Sequence, residues 1–84
     1  MNRVFWQRKA VKQLLKLHTL HQGQIRDAVT QLAAMPDVTG VKSLINHSVG
    51  YRLRVGNYRV LFDWDGSVKI VSIQEVRKRD ERTY

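Results

Sequence analysis

Three arginines on two adjacent segments are the residues of this chain best suited to chemistry on a charged ligand. Segments 51–55 and 58–64 alternate apolar with polar or basic residues, which predicts two β-strands, and the Gly-Asn pair between them is typical of a two-residue hairpin turn. In that hairpin Arg54 lies directly opposite Arg59. Because side chains alternate with a period of two, Arg52 shares the face of Arg54. The pattern therefore predicts three guanidinium groups on one face of a sheet.

This arrangement is suited to phosphate chemistry. Converging guanidinium groups can bind a phosphate through paired hydrogen bonds and can stabilise the extra negative charge of a phosphorane-like transition state without a metal ion. Like charges directly opposite in a sheet are destabilising, by something like the ~0.2–1 kcal/mol that favourable cross-strand pairs contribute, which suggests that the chain uses them. A second interpretation stays open, since antiparallel sheets often leave one face in water and arginine is acceptable there.

A second group of basic residues follows the last predicted strand. It comprises Arg77, Lys78, Arg79 and Arg82, and Tyr84 comes after it. A basic tail is commonly a solvated segment or a nonspecific phosphate contact. Here it emerges from a strand expected to pair beside the arginine hairpin. Its charges can therefore close over the same site, where the tyrosine can stack on a base or transfer a proton.

The net charge favours a polyanionic partner. Fifteen Lys and Arg residues against seven Asp and Glu residues give a formal charge of +8 and a sequence pI near 10.5. Such an excess repels itself in the compact state, and binding to nucleic acid relieves the repulsion while it releases condensed counterions. An acidic protein is a second and compatible partner. A membrane surface ranks third, because the sequence contains no long basic amphipathic helix.

Other functional classes are disfavoured by what the sequence lacks. The chain has no cysteine, so disulfides and thiolate metal sites do not arise. Its three histidines, His18, His21 and His47, have no partners at metal-ligand spacing, and we expect neither a metal nor a cofactor. No run approaches the roughly 18 apolar residues of a membrane span, and the charged N-terminus does not resemble a signal peptide. We therefore expect a cytoplasmic protein.

The elements that must position these residues follow the order β-α-α-β-β-β. Residues 3–6 form a short β-prone stretch, and helical periodicity begins at Arg8. A second helix is predicted with Thr19 as the N-cap of a capping box that Gln22 completes, and with Pro36 at its end. The 84 residues suffice for one α+β domain, in which the helices form an antiparallel hairpin on one face of a small, mainly antiparallel sheet.

The second half of the chain is predicted to supply the sheet. Segment 37–48 is interpreted as an irregular connector with one more turn, and a third strand is predicted over 68–76. The register of that strand stays open: a two-residue Asp-Gly loop places Val68 and Ile70 on the arginine face, and a three-residue loop places them on the core face. The hairpin face predicted to pack on the helices carries Tyr51, Leu53, Val55, Tyr58, Val60 and Phe62.

Two stretches of the sequence resemble a known family. These are YRLRVGNYRVLF at residues 51–62 and the run Val-Arg-Lys-Arg-Asp at 76–80 that precedes Tyr84. Both are similar to the RelE/ParE toxin superfamily of bacterial toxin–antitoxin systems, and the first stretch is fairly specific to that group. The likeness extends over residues 1–84. It implies a single RelE-like toxin domain with the RelE-like microbial RNase fold.

For a RelE-like toxin, the resemblance implies a ribosome-dependent endoribonuclease (an mRNA interferase) that inhibits translation and arrests growth. Such a toxin cuts the codon in the ribosomal A site by attack of the RNA 2′-hydroxyl on the adjacent phosphate. By position, Arg52 and Arg54 match residues that contact phosphate, and Arg59 matches one that stabilises the transition state or assists the leaving group. Arg79 matches a basic residue at the scissile phosphate, and Tyr84 matches a tyrosine that stacks on the substrate and orients or deprotonates the 2′-hydroxyl. The remaining basic residues of the C-terminal run are expected RNA contacts: Arg77, Lys78 and Arg82.

The chain departs from the family pattern in three ways. Some relatives have Lys where this chain has Arg52 and Arg54, and arginine stays protonated, so it cannot act as a base. Alignment of Tyr84 needs a one-residue gap in the C-terminal run. Other branches use Glu and His for acid–base work, and His47 and Glu75 stay open as candidates for such roles.

The resemblance also implies partners and rival functions. Relatives are usually encoded beside an antitoxin. We therefore expect a cognate antitoxin with an acidic or amphipathic segment, a toxin–antitoxin hetero-oligomer that binds DNA through the antitoxin, and contact with mRNA and the ribosome. One rival is the ParE branch, which shares the fold but inhibits DNA gyrase by protein interaction and cleaves no RNA. Another is a plain nucleic-acid-binding module without catalytic activity.

Overall fold

The computed structural model describes residues 1–79 of the chain. Two of the residues predicted to act at the site, Arg82 and Tyr84, lie outside the described residues. The elements follow one another as β1 (Arg3–Trp6), α1 (Arg8–Leu15), α2 (Thr19–Thr30), a 3-10 turn (Gln31–Ala34), β2 (Val41–Ser43), β3 (Tyr51–Val55), β4 (Tyr58–Asp65) and β5 (Ile70–Lys78).

The strands form one mixed sheet in the order β1-β5-β4-β3-β2. Strand β1 runs parallel to β5, and the other neighbouring strands are antiparallel. The two helices pack against one face, so the predicted α+β fold is confirmed. The structure contains one strand more than the sequence predicts, because β2 lies in the segment predicted to be an irregular connector. Its three residues are too few to show a period of two, and pairing with β3 defines the strand.

The core lies between the helices and the sheet face that carries Leu53, Val60 and Phe62. These side chains meet Ile25 and Val29 of α2, and Phe62 is fully buried. Burial of an aliphatic or aromatic side chain of this size stabilises the fold by roughly 1.5–3 kcal/mol, so this face fixes the orientation of the hairpin. Because side chains alternate along a strand, the residues between them face away from the helices.

The register of the central hairpin is the one that the sequence predicts. Arg54 pairs with Arg59, and Leu53 pairs with Val60. Gly56, in the turn, has a φ of 56°, a left-handed conformation that glycine adopts without strain and that tight hairpin turns require. The prediction that the arginines share one face of the hairpin is therefore confirmed by the strand pairing.

The register of β5 follows neither of the two predicted alternatives. Asp65 pairs with Ile70, so the turn is longer and spans residues 66–69. The Asp65 carboxylate stabilises this turn, since it accepts hydrogen bonds from the Ser67 backbone N–H at 2.9 Å and from the Ser67 hydroxyl at 2.6 Å. Val68 is consequently exposed in the turn. Local hydrogen bonds of this kind set a turn length that the Asp-Gly pair alone does not indicate.

A β-bulge in β5 determines which way its C-terminal half presents its side chains. Ile73 pairs with Phe62, whereas Glu75 pairs with the neighbouring Leu61, so Gln74 is an extra residue. An extra residue reverses the alternation for the rest of the strand. Beyond the bulge, the strand therefore places a valine in the core and an arginine on the opposite face.

Both ends of α2 differ from the prediction. His18 is the N-cap instead of Thr19, and its Nδ1 accepts a hydrogen bond from a backbone N–H of the first turn at 3.2 Å. Gln22 completes no capping box, because its side-chain amide donates to the Leu17 carbonyl oxygen at 2.8 Å. The α-helix ends at Thr30, and a 3-10 turn continues the chain toward the proline. Histidine is an uncommon cap, which is why residue preferences indicated threonine.

Candidate functional site

A cavity of about 440 Å³ lies on the sheet face that points away from the helices, and we call it the arginine basin. Strands β2, β3 and β4, the loop after β2 and the residue after β5 contribute its walls. The residues that line it are Lys42, Ser43, Leu44, Ile45, Arg52, Arg54, Arg59 and Arg79. The structure therefore brings together every residue with a predicted catalytic role that lies within the described chain.

Arg59 is the most buried cation of the basin. Only 7 % of its surface is exposed, whereas Arg52 is half-buried and Arg54 is exposed. A guanidinium keeps its charge at physiological pH, and burial removes water that would otherwise screen it. The basin thus combines one poorly hydrated positive charge with further positive charges at its rim, which is an arrangement suited to an anion.

A row of arginines crosses three strands at this level of the sheet. Arg59 pairs with Arg54 on one side and with Arg77 on the other. Like charges that face each other across strands destabilise the sheet by up to about 1 kcal/mol per pair. The row therefore raises the local positive potential at a cost in stability.

The edge strand β2 adds a cation that sequence reasoning missed. Lys42 pairs with Arg52, and both side chains line the basin. Leu44 and Ile45, in the loop after β2, form an apolar wall, and Ile45 is 86 % exposed. No sequence signal identifies these residues, because their orientation depends on the pairing of a strand too short to show periodicity.

Arg79 enters the basin because the end of β5 is bonded to the hairpin turn. Its backbone N–H donates to the Asn57 carbonyl oxygen at 2.6 Å, and its side chain lines the basin. The preceding residue, Lys78, lines a smaller cavity of about 260 Å³ together with Tyr58. Strand alternation thus divides two neighbouring basic residues between opposite faces of the sheet.

Arg77 faces the same side as Arg59 but is not among the residues that line the basin. Its Nε lies 3.2 Å from the Glu75 Oε1, and the Lys9 Nζ lies 3.1 Å from the same oxygen. Burial by itself raises the pKa of Glu75, but the hydrogen bond from Lys9 and the charge of Arg77 outweigh it and hold the pKa below its usual value. The ionised carboxylate therefore restrains Arg77 beside the basin.

The described lining of the basin contains no carboxylate and no imidazole. His47 makes a local loop contact, in which its Nδ1 accepts a hydrogen bond from the Val49 backbone N–H at 3.2 Å. Within residues 1–79, no group of three or more histidine, aspartate or glutamate side chains could hold a metal ion. Over the same range, no helix is long and apolar enough to cross a membrane. The chemistry that the basin itself offers is the stabilisation of negative charge.

Solved structures of RelE toxins share this fold. The toxin–antitoxin complex RelBE2 from Mycobacterium tuberculosis gives a TM-score of 0.80 at 22 % identity, over 93 % of this chain and 98 % of that chain. The archaeal RelE–RelB complex from Pyrococcus horikoshii gives 0.79 at 25 % identity, over 95 % and 97 %. The isolated Escherichia coli RelE toxin gives 0.78 at 16 % identity, over 96 % and 87 %.

Comparison at the sequence level gives the family. Curated protein sequences contain no significant match to the chain. A family model described as the ParE toxin of the parDE type II toxin–antitoxin system matches residues 4–83. The resemblance inferred from residues 51–62 is thereby confirmed, together with the fold. This chain belongs to the ParE toxin family of type II toxin–antitoxin systems, within the RelE/ParE toxin superfamily.

Proposed function

We propose that this toxin is an endoribonuclease that cleaves mRNA in the ribosomal A site without a metal ion and thereby inhibits translation. The observation that carries the proposal is the arginine basin, in which Arg52, Arg54, Arg59 and Arg79 line one cavity. A phosphodiester gains negative charge when it is attacked. Cations gathered around one point therefore stabilise the transition state more than the bound substrate, which is the condition for catalysis.

The reaction is an internal displacement on the RNA. The 2′-oxygen bonds to the adjacent phosphorus, and the bond from phosphorus to the 5′-oxygen of the next nucleotide breaks. The products are a 2′,3′-cyclic phosphate and a free 5′-hydroxyl, so one proton leaves the 2′-oxygen and another reaches the 5′-oxygen. Arg59 binds the non-bridging oxygens from the buried side of the basin, while Arg52 and Arg54 hold the same phosphate from the other strand of the hairpin.

Proton transfer requires a group other than arginine, because a guanidinium stays protonated. We assign the 2′-hydroxyl proton to Tyr84, whose phenol oxygen accepts it while releasing its own proton to water, and whose ring also stacks on the substrate base. Water returns a proton to the departing 5′-oxygen, and Arg59 assists this leaving group by hydrogen bonding. Arg79 contacts the scissile phosphate. A cavity lined by cations repels a metal ion, which favours a mechanism in which guanidinium groups supply the positive charge. The outer RNA contacts are Arg77, Lys78 and Arg82.

The toxin acts in the cytoplasm as one domain of residues 1–84 and is neutralised by a cognate antitoxin. The complexes from Mycobacterium tuberculosis and Pyrococcus horikoshii pair such a fold with an antitoxin. A net charge of +8 suits an antitoxin with an acidic segment that covers the basin. The resulting hetero-oligomer binds DNA through the antitoxin.

The description of the family model favours a second candidate function. It names ParE toxins, and the ParE branch inhibits DNA gyrase by protein interaction without cleaving RNA. In that case the arginine basin receives acidic side chains of a partner protein instead of a phosphodiester.

Primer extension on translated mRNA after induction of the toxin separates these functions. In-frame cuts within codons support the nuclease, whereas intact mRNA with DNA damage and filamentation supports gyrase inhibition. Arg59→Ala and Tyr84→Phe are expected to reduce cutting and growth arrest together. Arg3→Ala is the control, because it removes the same charge from an exposed position of β1. A plain nucleic-acid-binding module predicts weaker RNA affinity in Arg59→Ala and no cleavage by any of the proteins.

A further inference from the structure

A second cavity lies at the same end of the sheet as the arginine basin, on the opposite face. It has a volume of about 260 Å³ and is bounded by the first two turns of α2, the hairpin turn and the end of β5. We call it the histidine–tyrosine cavity. The residues that line it are His21, Gln24, Gly56, Asn57, Tyr58 and Lys78.

The two cavities adjoin because neighbouring residues point in opposite directions. Tyr58 and Lys78, which pair across β4 and β5, line the histidine–tyrosine cavity, while Arg59 and Arg79 line the basin. Consecutive Cα atoms are only about 3.8 Å apart, so the residues that line one cavity are the direct chain neighbours of residues that line the other. Asn57 forms the edge between them, since its carbonyl oxygen accepts the hydrogen bond from the Arg79 N–H. A flexible polymer that crosses this edge can occupy both cavities at once.

The groups in the histidine–tyrosine cavity suit a nucleotide. The Tyr58 hydroxyl lies 2.8 Å from the His21 Nδ1, and the two ring centroids are 5.2 Å apart, so the rings hold each other in place. Aromatic rings stack on any nucleobase, and the side-chain amides of Gln24 and Asn57 can donate to and accept from base edges. Lys78 is exposed at the rim of the cavity, where its charge can meet a phosphate.

We propose that the histidine–tyrosine cavity is a second RNA subsite, which binds the nucleotide beyond the two whose linking phosphate enters the arginine basin. The inference rests on the proposed function, since it takes single-stranded RNA as the polymer in the basin. Pockets for drug-sized ligands span roughly 300–1,000 Å³, so this smaller cavity fits a single base. Binding there fixes the register of the strand and so selects which phosphodiester lies among the arginines.

The test is the affinity gained when a non-cleavable oligonucleotide is lengthened. The probes are 2′-deoxyadenosine di- and trinucleotides with a fluorescent label, titrated with the purified toxin. The wild type is expected to bind the trinucleotide at least about fivefold more tightly than the dinucleotide, the lower end of the contribution of one stacked base. Lys78→Gln and His21→Ala should each reduce this gain to about twofold or less.

Lys16→Gln is the matched control, because it removes one exposed positive charge from the end of α1 and should preserve the gain. Arg52→Gln should weaken both probes equally, since both place a phosphate in the basin. The subsite is refuted by an absence of gain in the wild type, or by an unchanged gain in Lys78→Gln. Lys78 is exposed, so that variant stays informative even if His21→Ala is unstable. Failure of the proposed nuclease function is distinct, since it leaves translated mRNA intact whatever the oligonucleotide affinities are.

Discussion

Replacement of Arg54 by glutamine should make the protein more stable and less active at the same time. Arg54 lies directly opposite Arg59, and both line the basin. Like-charged cross-strand pairs cost roughly 0.2–1 kcal/mol, so we expect the free energy of unfolding to rise by about 0.5 kcal/mol. The rise should shrink in salt, because the Debye length falls from about 10 Å at 0.1 M to about 3 Å at 1 M. Urea unfolding followed by tryptophan fluorescence measures it.

The same substitution removes a charge-assisted contact with the phosphate. Such contacts contribute roughly 1.5–3 kcal/mol, so kcat/KM for cleavage of ribosome-bound mRNA should fall by about 10- to 150-fold. Opposite changes in stability and activity at one position would indicate that the arginine row is kept for its function.

Arg3→Gln provides the comparison for the stability measurement. Arg3 is exposed on β1 and pairs with Ile70, so the Arg3→Gln substitution removes one charge without relieving a like-charged pair. The reasoning is wrong if Arg54→Gln is no more stable than the wild type at low salt, or if Arg3→Gln gains as much.

Three further substitutions probe buried or ion-paired groups elsewhere. The folded pKa of Glu75 lies below its ordinary value of 4.5, so the carboxylate stabilises the fold above that pH. The stability advantage of the wild type over Glu75→Gln should therefore disappear as the pH falls through the folded pKa. Urea unfolding at several pH values measures this difference. Asn2→Ala removes a buried amide that donates to the Met35 carbonyl oxygen at 3.0 Å and accepts from the Trp64 Nε1 at 3.0 Å, so the free energy of unfolding should fall by roughly 2–3 kcal/mol with a change in tryptophan emission. Phe62→Ala, at a fully buried position, should lower it by roughly 3–5 kcal/mol in chemical denaturation. An unchanged denaturation midpoint at neutral pH would contradict the last two expectations, and a pH-independent difference would contradict the first.

The arginine hairpin is predictable from the sequence because two independent signals agree there. Alternation assigns the faces of the strands, and the Gly-Asn turn assigns their register, which together place Arg52, Arg54 and Arg59 on one side. Both signals are local, so no knowledge of the rest of the fold is needed.

The rest of the site depends on long-range pairing that local patterns do not reveal. Lys42 faces the basin only because β2 pairs with β3, and a strand of three residues has no readable period. Arg79 faces the basin because the bulge reverses the alternation of side chains along β5. In the sequence, that bulge is indicated by the three-residue spacing of the core residues Ile73 and Val76. One irregular spacing is also compatible with the end of a strand, so it could not decide the register.

Because Gln74 is an extra residue, the alternation of side chains between the two faces of the sheet at the end of β5 is out of step with the alternation in its middle. If Gln74 instead paired with Leu61 in a regular ladder, Glu75 would pair with Val60 and bring a carboxylate into the apolar interior, and Lys78 would turn toward the basin in place of Arg79. Deletion of Gln74, by contrast, would leave Glu75 opposite Leu61 and keep every later pair, so the shortened strand is expected to present the same residues on each face.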